Sequence, residues 1–275
     1  GSNLMEDAIE LNRSAWNDIA ERHKSVNADK IVANLRTTPT CYVDDVLKDE
    51  LQKVLDENSS HATVAQFNCN NGREIISATK MGFSSGYGFD FSDEFIQQAR
   101  FYADQSGAPC TFVNSDIYKI DNDFHGIADA LFLTAGAMCW MPDLRHYFQK
   151  AATVLKDNGR LVLWETHPFL EMFKPDRNRL RDGDVDLRMH YPYFLNDPVL
   201  LDSGLDYYSN EIDDTHNMPL WYHHTLSAIF QAILDSDFAV EVFAEYEFDN
   251  SIGYRHVEEF VIRPPMSFIL SAVKK

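Results

Sequence analysis

A short stretch rich in asparagine, VAQFNCNNGREI between Val64 and Ile75, has the composition of a ligand-binding turn. An apolar run ends there, and a helix-like sequence follows the asparagines. The turn from a parallel strand into a helix presents free backbone N–H groups to a ligand. Asparagine and glycine best tolerate the left-handed backbone that such a turn uses. The turn formed by Asn68, Asn70 and Gly72 is therefore a candidate ligand site, although Asn-Gly pairs also occur in ordinary turns.

Two carboxylates stand at the ends of neighbouring predicted strands. Asp90 ends the strand-like segment GYGFD, and Asp116 follows the segment CTFVNS. Ligands in open α/β sheets bind at the carboxyl ends of the strands. A carboxylate there offers paired acceptors for the two hydroxyls of a ribose. Either residue alone could equally be a solvated carboxylate or a helix cap, but their common position after strands favours a nucleoside ligand.

Two kinds of nucleoside cofactor fit an acidic residue at this position: a dinucleotide or S-adenosylmethionine. A dinucleotide needs a GxGxxG turn, so that its pyrophosphate can approach the backbone closely. The segment NCNNGRE supplies only Gly72. A nicotinamide-dependent oxidoreductase is therefore the weaker of the two predictions.

The elements that must position these residues alternate along the chain. Apolar runs predict strands at 63–67, 86–91, 110–115, 127–134 and 160–166, and helices at 73–81, 92–107 and 143–159. A helix at 225–237 precedes two closely spaced strands, which implies an antiparallel pair. We predict a doubly wound, Rossmann-like α/β fold with a seven-stranded, mainly parallel sheet and an antiparallel C-terminal strand.

The remaining segments divide the chain into predicted parts. Amphipathic helices at 5–24 and 42–57 form a predicted N-terminal helical cap over residues 1–58. Residues 59–275 form the predicted main domain. Its strand-helix pattern is interrupted at 167–222 by a long aromatic-rich insertion, which is predicted to be a lid.

From about Val64 to Lys275 the chain resembles class I S-adenosylmethionine-dependent methyltransferases, with the small-molecule branch as the best match. The resemblance rests on the segments VAQFNCNNGREI, GYGFDFSDEFIQQAR, FVNSDIY and ATVLKDNGRLVLWE and on the closing strand pair. The first segment departs from the family pattern of an acidic residue and three glycines. Its residues at those positions are Gln66, Asn68, Asn70 and Gly72.

The resemblance implies S-adenosylmethionine as the cofactor and assigns its parts to particular residues. For Phe91 and Ile117, ordinary core packing is an alternative to a ligand contact. The implied cofactor-binding residues are Asn68, Asn70 and Gly72 at the methionine portion, Asp90 and Phe91 at the ribose and adenine, Asp116 and Ile117 at the adenine, and Thr134 and Ala135 under the sulfonium.

Methyl transfer depends mainly on alignment and on exclusion of water, and it needs a base only if the acceptor must lose a proton. His167, directly after the predicted fifth strand, is the first candidate for this base, followed by Glu165, His223 and His224. Each histidine could instead be a packed or surface residue. Their spacing has no metal-ligand signature, and we predict no metal.

The acceptor pocket is predicted to form between the lid and the N-terminal helix. Trp16, His23 and Tyr222 are its predicted lining residues. The same aromatic surface would also suit a homodimer interface.

The charge balance argues against two classes of partner. The chain has 43 Asp and Glu residues against 24 Lys and Arg, a formal net charge of −19, which repels nucleic acid and anionic lipid surfaces. No apolar run approaches the roughly 18 to 20 residues of a membrane span, and no signal-like segment begins the sequence. We therefore expect a cytoplasmic protein that binds neither nucleic acid nor membrane.

These observations predict an enzyme that transfers a methyl group from S-adenosylmethionine to the O or N atom of a small molecule. The altered asparagine turn leaves open a non-catalytic protein of the same fold that binds S-adenosylmethionine. An accessible acceptor pocket beside the sulfonium would distinguish the enzyme from this alternative.

Overall fold

A seven-stranded sheet forms the centre of the computed structural model, which describes residues 2–22, 27–58, 61–176, 187–200 and 219–275. The strands are β1 (Thr63–Phe67), β2 (Ser85–Asp90), β3 (Cys110–Asn114), β4 (Ala128–Thr134), β5 (Leu155–Thr166), β6 (Val199–Leu200), β7 (Leu220–Trp221), β8 (Phe238–Tyr246) and β9 (Ser267–Lys274). The sheet order is β3-β2-β1-β4-β5-β9-β8, and β9 is antiparallel to both of its neighbours. This topology confirms the predicted fold. Strands β6 and β7 form a separate antiparallel pair.

Helices cover both faces of the sheet. They are α1 (Ser2–Arg22), α2 (Ala28–Thr37), α3 (Asp45–Glu57), α4 (Arg73–Thr79), α5 (Asp93–Ser106), α6 (Leu144–Val154) and α7 (Leu226–Leu234). One face packs against α6 and α7, and the other packs against α3, α4 and α5. Across the described ranges, no helix combines the length and the apolar character that a bilayer crossing requires.

The sequence of the central strands explains why they lie in the interior. Val64, Ala65 and Phe67 of β1 are fully buried. Side chains on both faces of a parallel strand need apolar neighbours, because helices cover both sides. The chain order reverses at β1, which pairs with β2 on one side and β4 on the other. A crevice forms at such a reversal, at the carboxyl ends of the strands.

Two boundaries in the central region, the end of α6 and the start of β5, differ from the sequence prediction. The helix predicted to run to Gly159 ends at Val154, and Leu155 already pairs with Ala128 of β4. Residues 156–159 then form a bulge before Arg160 pairs again, because Asn158 adopts a left-handed φ of 63°.

Helix α2 was not predicted. It is a short helix of 10 residues that buries Ile31 and Leu35. Helix α3 packs directly on the sheet through Leu47, Leu51 and Val54. The domain boundary at residue 58 stays a prediction. Part of the predicted lid, residues 177–186 and 201–218, lies outside the described residues.

Candidate functional site

The asparagine turn after β1 contains three residues with left-handed backbone. Asn68, Asn70 and Gly72 have φ angles of 55°, 54° and 78°. A Cβ atom on Gly72 would lie 2.7 Å from Cβ of Ala99 and from the ring of Phe112, so this position requires glycine. Asparagine tolerates the left-handed region better than most residues. The turn therefore keeps its backbone path although it has a single glycine.

Asp90 at the end of β2 is held in place by this turn. Its Oδ2 accepts a hydrogen bond from the Asn70 N–H at 2.9 Å, and its Oδ1 accepts one from the Ser92 N–H at 2.9 Å. The residue is buried, and burial raises the pKa of its carboxyl group to about 6. A carboxylate can accept about four hydrogen bonds, so Asp90 retains capacity for a further donor. This arrangement suits a pair of ligand hydroxyls.

The main cleft lies at the carboxyl ends of β1, β2 and β4 and has a volume of about 160 Å³. Trp16 and Ile19 of α1 form its roof. The turn after β4, which includes Gly136 and Ala137, forms one wall. Six of the predicted cofactor-binding residues line this cleft: Asn68, Asn70, Asp90, Phe91, Thr134 and Ala135.

A second space of about 430 Å³ adjoins the main cleft, and Phe91 lines both. Asp116 lines this adjoining cleft, as do Ile9 and Arg13 of α1. The Asp116 Oδ1 accepts a hydrogen bond from the Tyr118 N–H at 3.0 Å, and burial raises the pKa of the carboxyl group. The two strand-end carboxylates thus face neighbouring parts of one groove.

The other two predicted cofactor residues lie away from the cleft surface. Gly72 packs behind the turn, against Ala99 and Phe112. Ile117 is a buried member of the core on the α6 side of the sheet. Ile117 therefore packs in the core, which is the alternative that the sequence analysis gave for this residue.

Two cleft residues at the start of α4 were missed by the sequence analysis. The Glu74 Oε1 accepts hydrogen bonds from the Thr134 hydroxyl at 2.9 Å and from Nε2 of Gln66 at 3.2 Å. Burial raises the pKa of the Glu74 carboxyl group. Arg73 lies with its guanidinium carbon 5.3 Å from the centre of the Tyr42 ring. Their signal in the sequence was the charged pair directly after the turn glycine.

His167 is turned away from the cleft. The Phe169 N–H donates to its Nδ1 at 3.1 Å, so the ring proton lies on Nε2, which is 2.6 Å from Oε2 of Glu245. The ring is buried, and burial lowers its pKa. Both ring nitrogens are therefore engaged by this chain.

Glu165 supports the cleft from behind instead of lining it. Its Oε1 accepts hydrogen bonds from the backbone N–H groups of Ala137 at 3.1 Å and Met138 at 3.0 Å. Its Oε2 accepts one from the Thr166 N–H at 2.9 Å. The side chain is buried, and burial raises the pKa of the carboxyl group to about 7.

His223 and His224 lie together in a third cavity of about 370 Å³, which Tyr222 also lines. Nε2 of His224 lies 2.7 Å from the carbonyl oxygen of Met141. The His223 ring centre is 4.3 Å from that of Trp221, and burial lowers its pKa to about 4. This cavity and the main cleft share no lining residue in the described part of the chain.

The predicted catalytic and pocket residues therefore do not lie together at one site. Of these residues, only Trp16 lies at the main cleft among the described positions. His23 lies outside the described residues.

Helix α1 is fixed across the groove by polar contacts at several points. The Asn12 side chain donates to the Leu220 carbonyl oxygen at 3.1 Å and accepts from the Leu220 N–H at 2.7 Å. Asn17 Oδ1 accepts from the Ser92 hydroxyl at 2.6 Å. Because Trp16 covers the main cleft and Ile9 the adjoining one, a single helix forms the roof of both.

Comparison with known proteins agrees with this geometry. Residues 64–159 match the family model of a methyltransferase domain. The matched segment runs from β1 into the bulge of β5 and contains both strand-end carboxylates and the asparagine turn. No curated protein matches the chain.

Several solved structures share the fold at low sequence identity. A methyltransferase dependent on S-adenosylmethionine from Mesorhizobium loti is 21% identical, with a TM-score of 0.57 over 82% of this chain and 96% of that one. A protein of the same description from Methanosarcina mazei is 15% identical, with a TM-score of 0.55 over 84% and 98%.

A third similar structure carries ligands. It is the geranyl diphosphate C-methyltransferase from Streptomyces coelicolor in complex with Mg²⁺, geranyl diphosphate and S-adenosyl-L-homocysteine. It is 11% identical, with a TM-score of 0.52 over 83% of this chain and 78% of that one. These similarities show the fold.

Proposed function

We propose that this chain is an S-adenosylmethionine-dependent methyltransferase that acts on the O or N atom of a small molecule. The observation that carries the proposal is the Asp90 carboxylate at the end of β2, which backbone N–H groups fix at the lining of the main cleft. The match of residues 64–159 to a methyltransferase domain supports it.

The residues of the groove fit the chemistry of S-adenosylmethionine along its whole length. Asp90 suits the two ribose hydroxyls, and Asp116 in the adjoining cleft suits the adenine amino group. Arg73 and Glu74 line the main cleft with opposite charges. A guanidinium and a carboxylate match the carboxylate and the ammonium of an amino acid. Glu74 would thus supply the negative charge that Gln66 does not.

The cofactor, when bound, supplies a methyl group activated by a positively charged sulfur. The chain contributes alignment and a dry environment. The Thr134–Ala137 turn forms the wall that Glu165 holds from behind, and Trp16 covers the cleft from above. A covered cleft excludes water and strengthens the electrostatic contacts inside it.

The acceptor class follows from the charge and from the lining groups. A chain with a net charge of −19 favours neutral or cationic small molecules over nucleic acid or anionic membranes. Among the described residues that line the main cleft there is no histidine. An acceptor that needs no base to remove a proton before it attacks, such as a neutral amine, therefore fits this cleft best.

The test is calorimetric titration of S-adenosylmethionine and S-adenosylhomocysteine into the purified protein and its Asp90→Ala variant. Hydrogen bonds to a charged group are worth about 1.5–3 kcal/mol, so we expect both ligands to bind at least about tenfold more weakly to the variant. Asp116→Ala should weaken both ligands by acting at the adenine end.

The matched control is Asp104→Ala, which removes an exposed carboxylate from α5, the helix that follows Asp90. It should leave both affinities unchanged, and thermal melting should show that all variants are folded. A folded wild-type protein that binds neither ligand would refute the proposal.

A further inference from the structure

Three aromatic rings from three separate elements surround one part of the main cleft. Trp16 comes from α1, Phe95 from α5 and Trp140 from the short 3₁₀ turn after β4. The centres of the Trp16 and Trp140 rings are 5.2 Å apart, and their planes meet at 82°. The Trp16 and Phe95 centres are 5.9 Å apart at 53°. The rings therefore form a corner instead of a flat stack.

These rings are buried and yet border open space. Their exposed fractions are 6% for Trp16, 5% for Phe95 and 8% for Trp140, and all three line the main cleft. Rings with a packing role alone would be surrounded by other side chains on every side. Here one side of the cluster faces a space large enough for part of a ligand.

The position of the corner within the groove follows from its neighbours. Phe95 also borders the space beside Asn71 and Arg73, at the end of the cleft away from Asp116. Trp140 follows the Thr134–Ala137 wall along the chain. Trp16, Asp90 and Arg73 line the same cleft, so a cofactor that extends from Asp90 towards Arg73 would lie beside Trp16, with its sulfonium between its ribose and its amino-acid end.

Aromatic rings attract positive charge, and cages of such rings recognise onium groups. Asp90 and Glu74 add two carboxyl groups to the same cleft. The cationic Arg73 lies at the far end, against the Tyr42 ring. The cleft thus combines aromatic rings with nearby acidic groups, an environment that favours a sulfonium.

We propose that Trp16, Phe95 and Trp140 form a cage for the sulfonium, and that this aromatic cage distinguishes S-adenosylmethionine from S-adenosylhomocysteine. The inference rests on the proposed function and adds a specificity role for these residues. Methyl transfer removes the positive charge, since the electrons of the broken carbon–sulfur bond stay on sulfur. The neutral product therefore loses the attraction of the cage.

The experiment compares both ligands by calorimetry in wild type, Trp16→Leu and Trp16→Phe. A cation–π contact of about 0.5–2 kcal/mol corresponds to a roughly 2- to 30-fold weaker binding of S-adenosylmethionine to Trp16→Leu. S-adenosylhomocysteine should change less, so that the ratio of the two dissociation constants shifts. Trp16→Phe retains a ring and should keep most of the wild-type ratio.

Two further variants make the result decisive. Phe101→Leu removes an exposed ring from α5 and should change neither affinity. Phe95→Leu should shift the ratio in the same direction as Trp16→Leu, and it provides the test if Trp16→Leu does not fold. An equal loss of both ligands in the folded cage variants would refute the cage and leave the proposed function intact. A wild-type protein that binds neither ligand would refute both.

Discussion

Glu165 shows how a buried carboxylate can serve a site that it does not touch. Backbone N–H groups donate to it from Ala137 in the wall of the main cleft, from Met138 directly after the wall, and from Thr166. Burial destabilises the charged form of Glu165 more than the hydrogen bonds stabilise it, so the pKa of the carboxyl group is raised to about 7. The carboxyl group that holds the wall therefore changes its protonation state near neutral pH.

This residue should make the stability of the protein depend on pH. The ordinary pKa of the group is 4.5. Between that value and about 7 the folded protein binds more protons than the unfolded chain, so its unfolding free energy should fall as pH rises, by up to ~3 kcal/mol. Glu165→Gln lacks this titration and should show a flatter dependence in urea unfolding between pH 5 and pH 8. Parallel curves for the two proteins would contradict the assignment.

The sequence could predict the strand-end carboxylates but not the orientation of the histidine. Parallel strands end at the same edge, so Asp90 and Asp116 had to lie near one groove. Which way the His167 ring turns depends on Glu245, a residue 78 positions later on β8. The role of Glu74 could not be predicted, because its hydrogen bonds with Gln66 and Thr134 form only in the folded sheet.

At the scale of elements, α1 is the feature that turns an open groove into a covered site. It is joined to β7 by the two hydrogen bonds of Asn12, and to the start of α5 through Asn17. Asn12 is 1% exposed, so the Asn12 side of both bonds is shielded from water. The helix therefore links the groove to the strand pair β6-β7.

Asn12→Ala should loosen this link without changing the sheet. It leaves the N–H and C=O groups of Leu220 without their partner, and each such loss costs about 1–3 kcal/mol when the group is buried. We expect hydrogen exchange at the Leu220 amide and along α1 to become at least about tenfold faster. Glu21→Ala, at an exposed position of the same helix, is the control and should exchange like wild type. Unchanged exchange at Leu220 in Asn12→Ala would show that the link carries no stability.

The sheet was the most predictable part of the fold, because its buried strands appear as short apolar runs between turn residues. The residues of β1 were predicted without error. The end of α6 was predicted wrongly, because Leu155 fits a helix face and a strand equally well. Leu155 belongs to a strand because it pairs with Ala128, and that pairing joins distant parts of the chain.

The whole molecule carries an excess of negative charge, with a net charge of −19 and an isoelectric point near 4.8. Such an excess opposes the compact state through self-repulsion. The same field lowers the local concentration of anions and raises that of cations around the groove.

Salt should therefore stabilise the protein at neutral pH. Raising NaCl from about 20 to about 200 mM shortens the screening length from roughly 20 Å to below 10 Å, so we expect Tm to rise by a few degrees at pH 7.5. At pH 4.8 the net charge is close to zero, and the same addition should have little effect. An equal rise at both pH values would point to a salt effect unrelated to charge repulsion.

Because α1 covers both parts of the groove, we also expect it to control the rates of ligand binding and release. Residues of α1 line both spaces between Asp116 and Arg73, and Asn12 holds this helix against Leu220. We therefore expect a ligand that fills both spaces to leave more slowly while these contacts are intact. If the proposed function holds, we expect release of the spent cofactor, and not the methyl transfer itself, to limit turnover.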